Sequence, residues 1–231
     1  VHKNVDTDGD RDIDEENSTS WTWDIDGNGN FATGDSSQPV IAGDYTVSED
    51  QQENYHVTAV ECNNQEVYNP LESIRVSVEP GQDLVCTFTN TRNTGNLRVN
   101  KVVDSDGDGK YDATNPENFK WGTSSEVTSY NMGQSQTFIT DNYNVYENSV
   151  AGYVFTGWFP GNPVENQYNC NNLPEGDIYT KLPVAVTVAS NEPVEITLCN
   201  QLLNPILTIS KSNDKTGVDL SAGDSVLYTL V

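Results

Sequence analysis

Val99-Asn-Lys-Val-Val-Asp-Ser-Asp-Gly-Asp-Gly-Lys-Tyr-Asp112 is a short apolar strand that runs straight into a cluster of carboxylates. The pattern occurs earlier as Val1-His-Lys-Asn-Val-Asp-Thr-Asp-Gly-Asp-Arg-Asp-Ile-Asp14. Lys3, Asp6, Asp8, Gly9 and Asp10 match Lys101, Asp104, Asp106, Gly107 and Asp108, each pair 98 residues apart. Self-similarity at a fixed spacing marks a repeat array.

Working outward, the first repeat spans 1–94 and the second 95–204. Strand-like runs in the first are 1–5, 21–23, 38–41, 44–48, 55–60, 74–78 and 84–89. In the second they are 97–103, 119–121, 136–139, 143–146, 153–158, 184–188 and 194–198. They are short, often alternate, and are separated by Gly, Asn, Asp or Pro. No segment keeps a helical period. The expected fold is all-β, with Ig-like β-sandwich domains in tandem. Residues 205–231 read as opening strands of a third unit or as a segment that pairs with another chain, since so few residues bury no core. A chain that stops inside a strand-like run is expected of an internal piece of a longer protein.

The 231 residues carry 35 acidic and 11 basic side chains, a net charge of −24. That balance argues against nucleic acid as a partner. No apolar run is long enough to span a bilayer as a helix. Only His2 and His56 are present, too few for a His-based hydrolase, and no phosphate-binding glycine loop occurs. An enzyme is not expected. Trp21, Trp23, Trp121 and Trp158 read as core rather than as sugar platforms. Asn17-Ser-Thr19 is a glycosylation sequon.

Calcium takes six to eight oxygens, and acids at alternate positions on a tight loop converge on one ion. Asp24-Ile-Asp-Gly-Asn-Gly-Asn-Phe-Ala-Thr-Gly-Asp35 follows the twelve-residue calcium loop, with Asp24, Asp26, Asn28 and Asn30 as ligands and Asp35 at the place of the usual Glu. Asp6, Asp8, Asp10, Asp12 and Asp14 form a denser alternation, copied more sparsely by Asp104, Asp106, Asp108 and Asp112. The expected ligand is Ca2+, and a solvated acidic turn is the alternative. An ion at 104–112 is expected to stiffen the hinge near residues 92–96.

Side chains alternate along a strand, so Lys3 shares a face with Val1 and Val5, and Lys101 with Val99 and Val103. Glu49 and Glu147 likewise follow Tyr45 and Val47, and Tyr143 and Val145. Asn90 and Asn200 end the faces opened by Leu84, Cys86 and Phe88, and by Val194, Ile196 and Leu198. Each repeat thus aims one Lys, one Glu and one Asn inward. Burial lowers the pKa of Lys and raises that of Glu. A neutral amine then attacks the Asn carboxamide while Glu shuttles protons, giving an isopeptide bond and ammonia. A buried Lys–Glu ion pair beside a hydrogen-bonded Asn is the alternative.

The opening Lys, the stretch Gly-Asp-Tyr-Thr-Val-Ser-Glu49 and the closing Cys86-Thr-Phe-Thr-Asn-Thr91 resemble the prealbumin-like, collagen-adhesin B-type repeats of microbial surface proteins and pilins. The resemblance implies a secreted β-sandwich used as a stalk, pilin or adhesin module, with its Lys, Glu and Asn on Lys3, Glu49 and Asn90, and on Lys101, Glu147 and Asn200. The Asp-rich loop is similar to that of calcium-binding B repeats in staphylococcal adhesins. Residue 206 onward resembles the start of another Ig-like envelope repeat. The second repeat departs from the pattern in its closing Thr197-Leu-Cys-Asn-Gln201.

The four cysteines fall two per repeat, without the close pairs of a zinc site. The expected disulfides are Cys62–Cys86 and Cys170–Cys199, and the alternative is free buried thiols. Cys86 lies on the inferred core face and Cys199 on the opposite one, so the bridges are expected to differ in geometry. The chain reads as a link in an extracellular, cell-surface fibre, pilus or adhesin stalk, with other copies of itself as partners. A domain that binds glycan or protein through loops such as 157–162 is the second reading. An accessory module of a secreted hydrolase is the third.

Overall fold

The computed structural model describes residues 1–231 except 35–36, 64, 68–71, 127, 164–168, 191, 204–210, 214–224, 226–227 and 231. Within them lie two β-sandwiches in tandem. The first is built from β1 (His2–Asp6), β2 (Thr22–Ile25), β3 (Asn28–Ala32), β4 (Gly43–Glu49), β5 (Tyr55–Cys62), β6 (Gln65–Val67), β7 (Ser73–Val78) and β8 (Cys86–Arg92). Its two sheets have the orders β1-β8-β5-β6 and β3-β2-β4-β7. Trp23 and Val47 from one sheet meet Val60, Cys62, Cys86 and Phe88 from the other in the core. Alternation makes this work: Ser73–Val78 sends one face inward throughout, and Tyr55–Cys62 does so on either side of a bulge between Val57 and Ala59, with Val57, Val60 and Cys62 inward.

The second sandwich contains β9 (Thr94–Asp104), β10 (Ala113–Thr114), β11 (Lys120–Gly122), β12 (Tyr130–Asn131), β13 (Ser135–Ile139), β14 (Asp141–Glu147), β15 (Tyr153–Pro160), β16 (Val184–Val188) and β17 (Val194–Leu202). One sheet runs β10-β9-β17-β15 with β13 also on β9, and the other runs β12-β11-β14-β16. Leu97, Val99, Val103, Phe119, Trp121, Val145 and Leu198 fill its core. β18 (Lys211–Asn213) and β19 (Tyr228–Leu230) pair antiparallel in the third unit. The remainder of the sequence-predicted opening strands there lies outside the described residues.

In each sandwich the first strand runs parallel to the last: β1 on β8, and β9 on β17. The acidic loop that follows the first strand therefore sits at the exit of its own sandwich. This corrects the expected hinge. Asp104 pairs with Gln201, so the loop after it lies beyond the second sandwich, away from residues 92–96. The loop that packs on that junction is the earlier one. Gly9 touches it so closely that a Cβ there would lie 2.5 Å from the Thr94 methyl group. Between β8 and β9 stands Asn93 alone. Its N–H donates to the Asn54 carbonyl at 2.8 Å and its carbonyl accepts from the Thr140 N–H at 2.9 Å. Arg92 reaches across to the Thr140 carbonyl at 3.3 Å.

Residues 38–41 differ from the sequence expectation. Their counterpart is β13, which pairs with 94–98 of β9. β1 begins at His2 and offers no such stretch, so among the described residues 38–41 join no ladder.

Candidate functional site

Lys3, Glu49 and Asn90 converge as the alternation predicts. Lys3 is the second residue of β1, Glu49 ends β4 on the opposite sheet, and Asn90 lies on β8 beside β1. All three are buried. Lys3 Nζ donates to Glu49 Oε2 at 2.6 Å, and Asn90 Nδ2 donates to Glu49 Oε1 at 2.6 Å. One carboxyl group thus spans the amine and the amide nitrogen. The Asn90 Oδ1 atom is buried with no hydrogen-bond partner.

Lys101, Glu147 and Asn200 repeat the arrangement with a different contact. Lys101 Nζ donates to Glu147 Oε2 at 2.5 Å and to Asn200 Oδ1 at 2.5 Å. Here the ammonium sits against the carbonyl oxygen of the amide. Both lysines are roofed by aromatic rings. Lys3 Nζ lies 4.0 Å from the Trp21 ring centre, and Lys101 Nζ lies 4.9 Å from that of Phe119 and 5.9 Å from that of Phe155. Sequence reading placed Trp21 only as core, and Phe119 and Phe155 only within strand-like runs. A signal was available, because Trp21 and Phe119 stand at the repeat spacing.

Burial drives the electrostatics. It lowers the pKa of Lys3 to about 8, against the opposing pull of Glu49. Lys101 is likewise lowered to about 8 by burial, with Glu147 opposing. Burial raises Glu49, while Lys3 and Asn90 hold it down. Each shift moves its group toward the neutral form. The donor set can carry out one chemistry: the amine nitrogen adds to the Asn Cγ, Glu relays a proton from that nitrogen to Nδ2, and ammonia leaves as the new amide forms.

The two acidic loops match bond for bond. Asp6 is buried and accepts the Gly9 and Arg11 N–H groups at 2.6 and 2.8 Å. Asp104 is buried and accepts those of Gly107 and Gly109 at 2.7 and 2.9 Å. Asp8 and Asp106 each accept an N–H two residues on, as do Asp10 and Asp108. Asp14 and Asp112 close the loops on the Thr7 and Ser105 N–H groups, which lowers the pKa of both. Asp8 is raised: the bond from Asp10 N–H that lowers it is outweighed by desolvation and by the charges of Asp10, Asp14 and Asp6. Carboxylate oxygens of Asp6, Asp8 and Asp14 lie within 4.8 Å of one another, as do those of Asp104, Asp106 and Asp108. All-carboxylate donors suit a hard cation such as Ca2+ rather than a thiolate-seeking metal. Asp12 stands outside the first trio, and its counterpart is Lys110, paired with Asp108 at 3.1 Å.

The stretch 24–30 is corrected. It forms a hairpin rather than a loop wrapped around one point. Ile25 pairs with Asn28 around a two-residue turn in which Asp26 and Gly27 both have positive φ, 52° and 74°. Asp-Gly is the favoured sequence for that turn. Asp24 caps the Gly27 N–H at 2.7 Å and Asp26 accepts the Thr46 N–H at 2.7 Å. Strand pairing then carries Asn28 and Asn30 along β3 instead of folding them around one point. Asp35 lies outside the described residues.

Both disulfides are present, with no free cysteine among the described residues. Cys62–Cys86 joins directly paired residues of β5 and β8, with Cα atoms 4.1 Å apart. Cys170–Cys199 pins the long excursion between β15 and β16 to the outer face of β17, with Cα atoms 5.7 Å apart. The two bridges differ as their faces predict. Residues 157–160 belong to β15 rather than to a binding loop. Trp21, Trp23 and Trp121 are buried, and Trp158 is half-buried against Tyr179.

Residues 2–88 match a family model described as SpaA_2, prealbumin-like fold domain. The match covers the first sandwich, and the second sandwich repeats that strand order with insertions. No curated protein sequence matches the chain. Among solved structures, the chain is similar to the major pilin protein (T-13) from Streptococcus pyogenes, with 18% identity, 75% of this chain and 72% of that chain covered, and a TM-score of 0.30. A second similar structure is a major pilin from Streptococcus pyogenes, with 14% identity, 87% and 97% covered, and a TM-score of 0.32. Among the described residues no helix is long and apolar enough to cross a membrane.

Proposed function

We propose that this chain is a structural module of an extracellular, cell-surface fibre or stalk, whose sandwiches are closed by Lys3–Asn90 and Lys101–Asn200 isopeptide bonds. The observation that carries this reading is the buried Lys, Glu and Asn set found in both sandwiches, which joins the first strand to the last through the Glu49 carboxyl group in one and by a direct Lys101–Asn200 contact beside Glu147 in the other. A catalytic module has no need of two such sets placed in the core. Calcium at Asp6, Asp8 and Asp14, and at Asp104, Asp106 and Asp108, would neutralise carboxylates that now repel, and would stiffen each exit loop. Asp10 and Asp112 border these sites. The disulfides fit an oxidising compartment. The partners are other copies of the chain, arranged end to end.

Intact mass after reduction tests the reading. Loss of one ammonia per sandwich is the expected result, with Lys3 linked to Asn90 and Lys101 to Asn200 in the digest. A full unmodified mass removes the covalent cross-links.

A further inference from the structure

The two Lys, Glu and Asn sets share their residue types and differ in how those residues meet. In the second sandwich Lys101 Nζ lies 2.5 Å from Asn200 Oδ1, one carbonyl bond away from the Cγ it would attack. In the first, the Glu49 carboxyl stands between the partners. Its Oε2 takes the lysine at 2.6 Å and its Oε1 takes Asn90 Nδ2 at 2.6 Å. Asn90 Oδ1 is buried without a hydrogen-bond partner. An amine adds to a carbonyl carbon from about 3–3.5 Å. Lys101 already touches the group it must attack, whereas Lys3 has first to leave the carboxyl and turn toward the amide.

The aromatic roofs differ in the same direction. Trp21 and Phe119 occupy matching positions, and each is met edge-on by a tyrosine at the matching place, Tyr55 at 5.3 Å and Tyr153 at 5.5 Å. What changes is the ring and its distance. Lys3 Nζ lies 4.0 Å from the Trp21 centre, whereas Lys101 Nζ lies 4.9 Å from Phe119 and 5.9 Å from Phe155. Indole is the strongest aromatic partner of an ammonium, and about 6 Å is the limit of the attraction. That attraction acts on the charged amine, and the amine must lose its charge to become a nucleophile. Trp21 therefore holds Lys3 in its resting state more firmly than Phe119 and Phe155 hold Lys101.

Resting on the cross-linking reading above, we propose that the two sandwiches close in a fixed order, Lys101–Asn200 first and Lys3–Asn90 after a lag that Trp21 lengthens. The chemistry is the same in both. The lysine passes its extra proton to the Glu carboxylate, Nζ bonds to Cγ, and a second amine proton moves through the carboxyl group to Nδ2. The Cγ–Nδ2 bond then breaks and ammonia leaves, with the carboxyl group protonated at the end. Only the starting contact and the hold on the ammonium differ. During the lag the second sandwich is covalently closed while the first still unfolds reversibly.

The test follows the 231-residue chain after a short pulse of cell-free synthesis, with samples quenched in acid at intervals and digested. The fraction of each linked peptide is read against time in the unaltered chain and in Trp21→Phe. The Lys101–Asn200 peptide is expected to appear several-fold faster than the Lys3–Asn90 peptide. Trp21→Phe is expected to shorten the Lys3–Asn90 lag several-fold and to leave the other bond unmoved. A smaller ring in the core slows folding if it acts on folding at all, so a shorter lag reports the amine. Equal rates, the reverse order, or a lag that Trp21→Phe leaves unchanged or lengthens overturns the proposal while the cross-linking reading stands. Absence of both linked peptides removes that reading and the order with it.

Discussion

Lys101 Nζ lies 2.5 Å from Asn200 Oδ1, and the two residues belong to neighbouring parallel strands of one sheet. Glu147 approaches the same nitrogen from the facing sheet at 2.5 Å. Replacing the carboxyl while keeping its shape separates bonding from packing. Glu147→Gln is expected to restore one ammonia to the intact mass, and Glu49→Gln to do the same for the first sandwich. Peptide mapping assigns each change to its own lysine. A Glu147→Gln chain that still lacks the ammonia shows that this carboxyl is dispensable for proton transfer.

Removing Lys3 strands Glu49 in the core. Lys3→Ala is expected to destabilise the first sandwich by about 3–5 kcal/mol, the range for leaving one buried charge without its partner. Urea unfolding followed by Trp21 and Trp23 fluorescence measures it. A loss well below 1 kcal/mol means that Glu49 is already neutral or reaches water in the variant.

Asn90→Ala leaves the Lys3–Glu49 pair and forbids the bond, which exposes the lysine titration. The folded-state pKa of Lys3 is about 8, below its ordinary 10.5. Under pH 8 both states hold the proton and the burial cost is full. From about 8 to 10.5 the unfolded chain holds more protons, so stability rises with pH. Glu49 is raised instead, so at acid pH the folded state holds the extra proton and stability falls as pH climbs through that range. Urea midpoints at pH 7, 8, 9 and 10 are expected to increase in that order, and a decrease reverses the assignment of burial as the dominant cause.

Each disulfide closes a loop of moderate length, with sequence separations of 24 and 29. Cys62→Ser with Cys86→Ser, and Cys170→Ser with Cys199→Ser, are each expected to cost about 3 kcal/mol in the chain-entropy model. The bridges lie in separate sandwiches and share no partner, so the quadruple variant is expected to lose the sum. Calorimetry decides: one bridge lost must move one transition and leave the other in place.

Calcium titration distinguishes the two kinds of acidic segment. Asp6→Asn and Asp104→Asn are each expected to abolish one binding event in isothermal titration, whereas Asp24→Asn leaves binding unchanged. At calcium a hundredfold above Kd, each site adds about 2.7 kcal/mol to its sandwich, and a chelator removes it. Binding lost with Asp24→Asn instead places a cation at the hairpin turn.

The period of two carried most of the site into view. Lys3, Glu49 and Asn90 are buried because Val5, Val47 and Phe88 at the neighbouring same-face positions are buried, a relation visible before any fold is known. Asp24 to Asn30 misled for a chemical reason. Oxygen-rich, glycine-rich residues serve both cation loops and tight turns, and Asp-Gly between alternating strands favours the turn. The place of the acidic loops was hidden because it depends on β1 pairing with β8 across the whole domain. The aromatic roof required knowing that Trp21, just ahead of β2, meets the Lys3 head.

The parallel pairing of first and last strands has one more consequence. Tension applied at the two ends of a sandwich pulls β1 and β8 along their length in opposite senses. The ladder from His2 to Asp6 on Thr87 to Thr91 is then loaded in shear, all rungs at once, and does not peel one rung at a time. The eight-rung match of β9 on β17 shares the stress the same way, and the strands between them are bypassed.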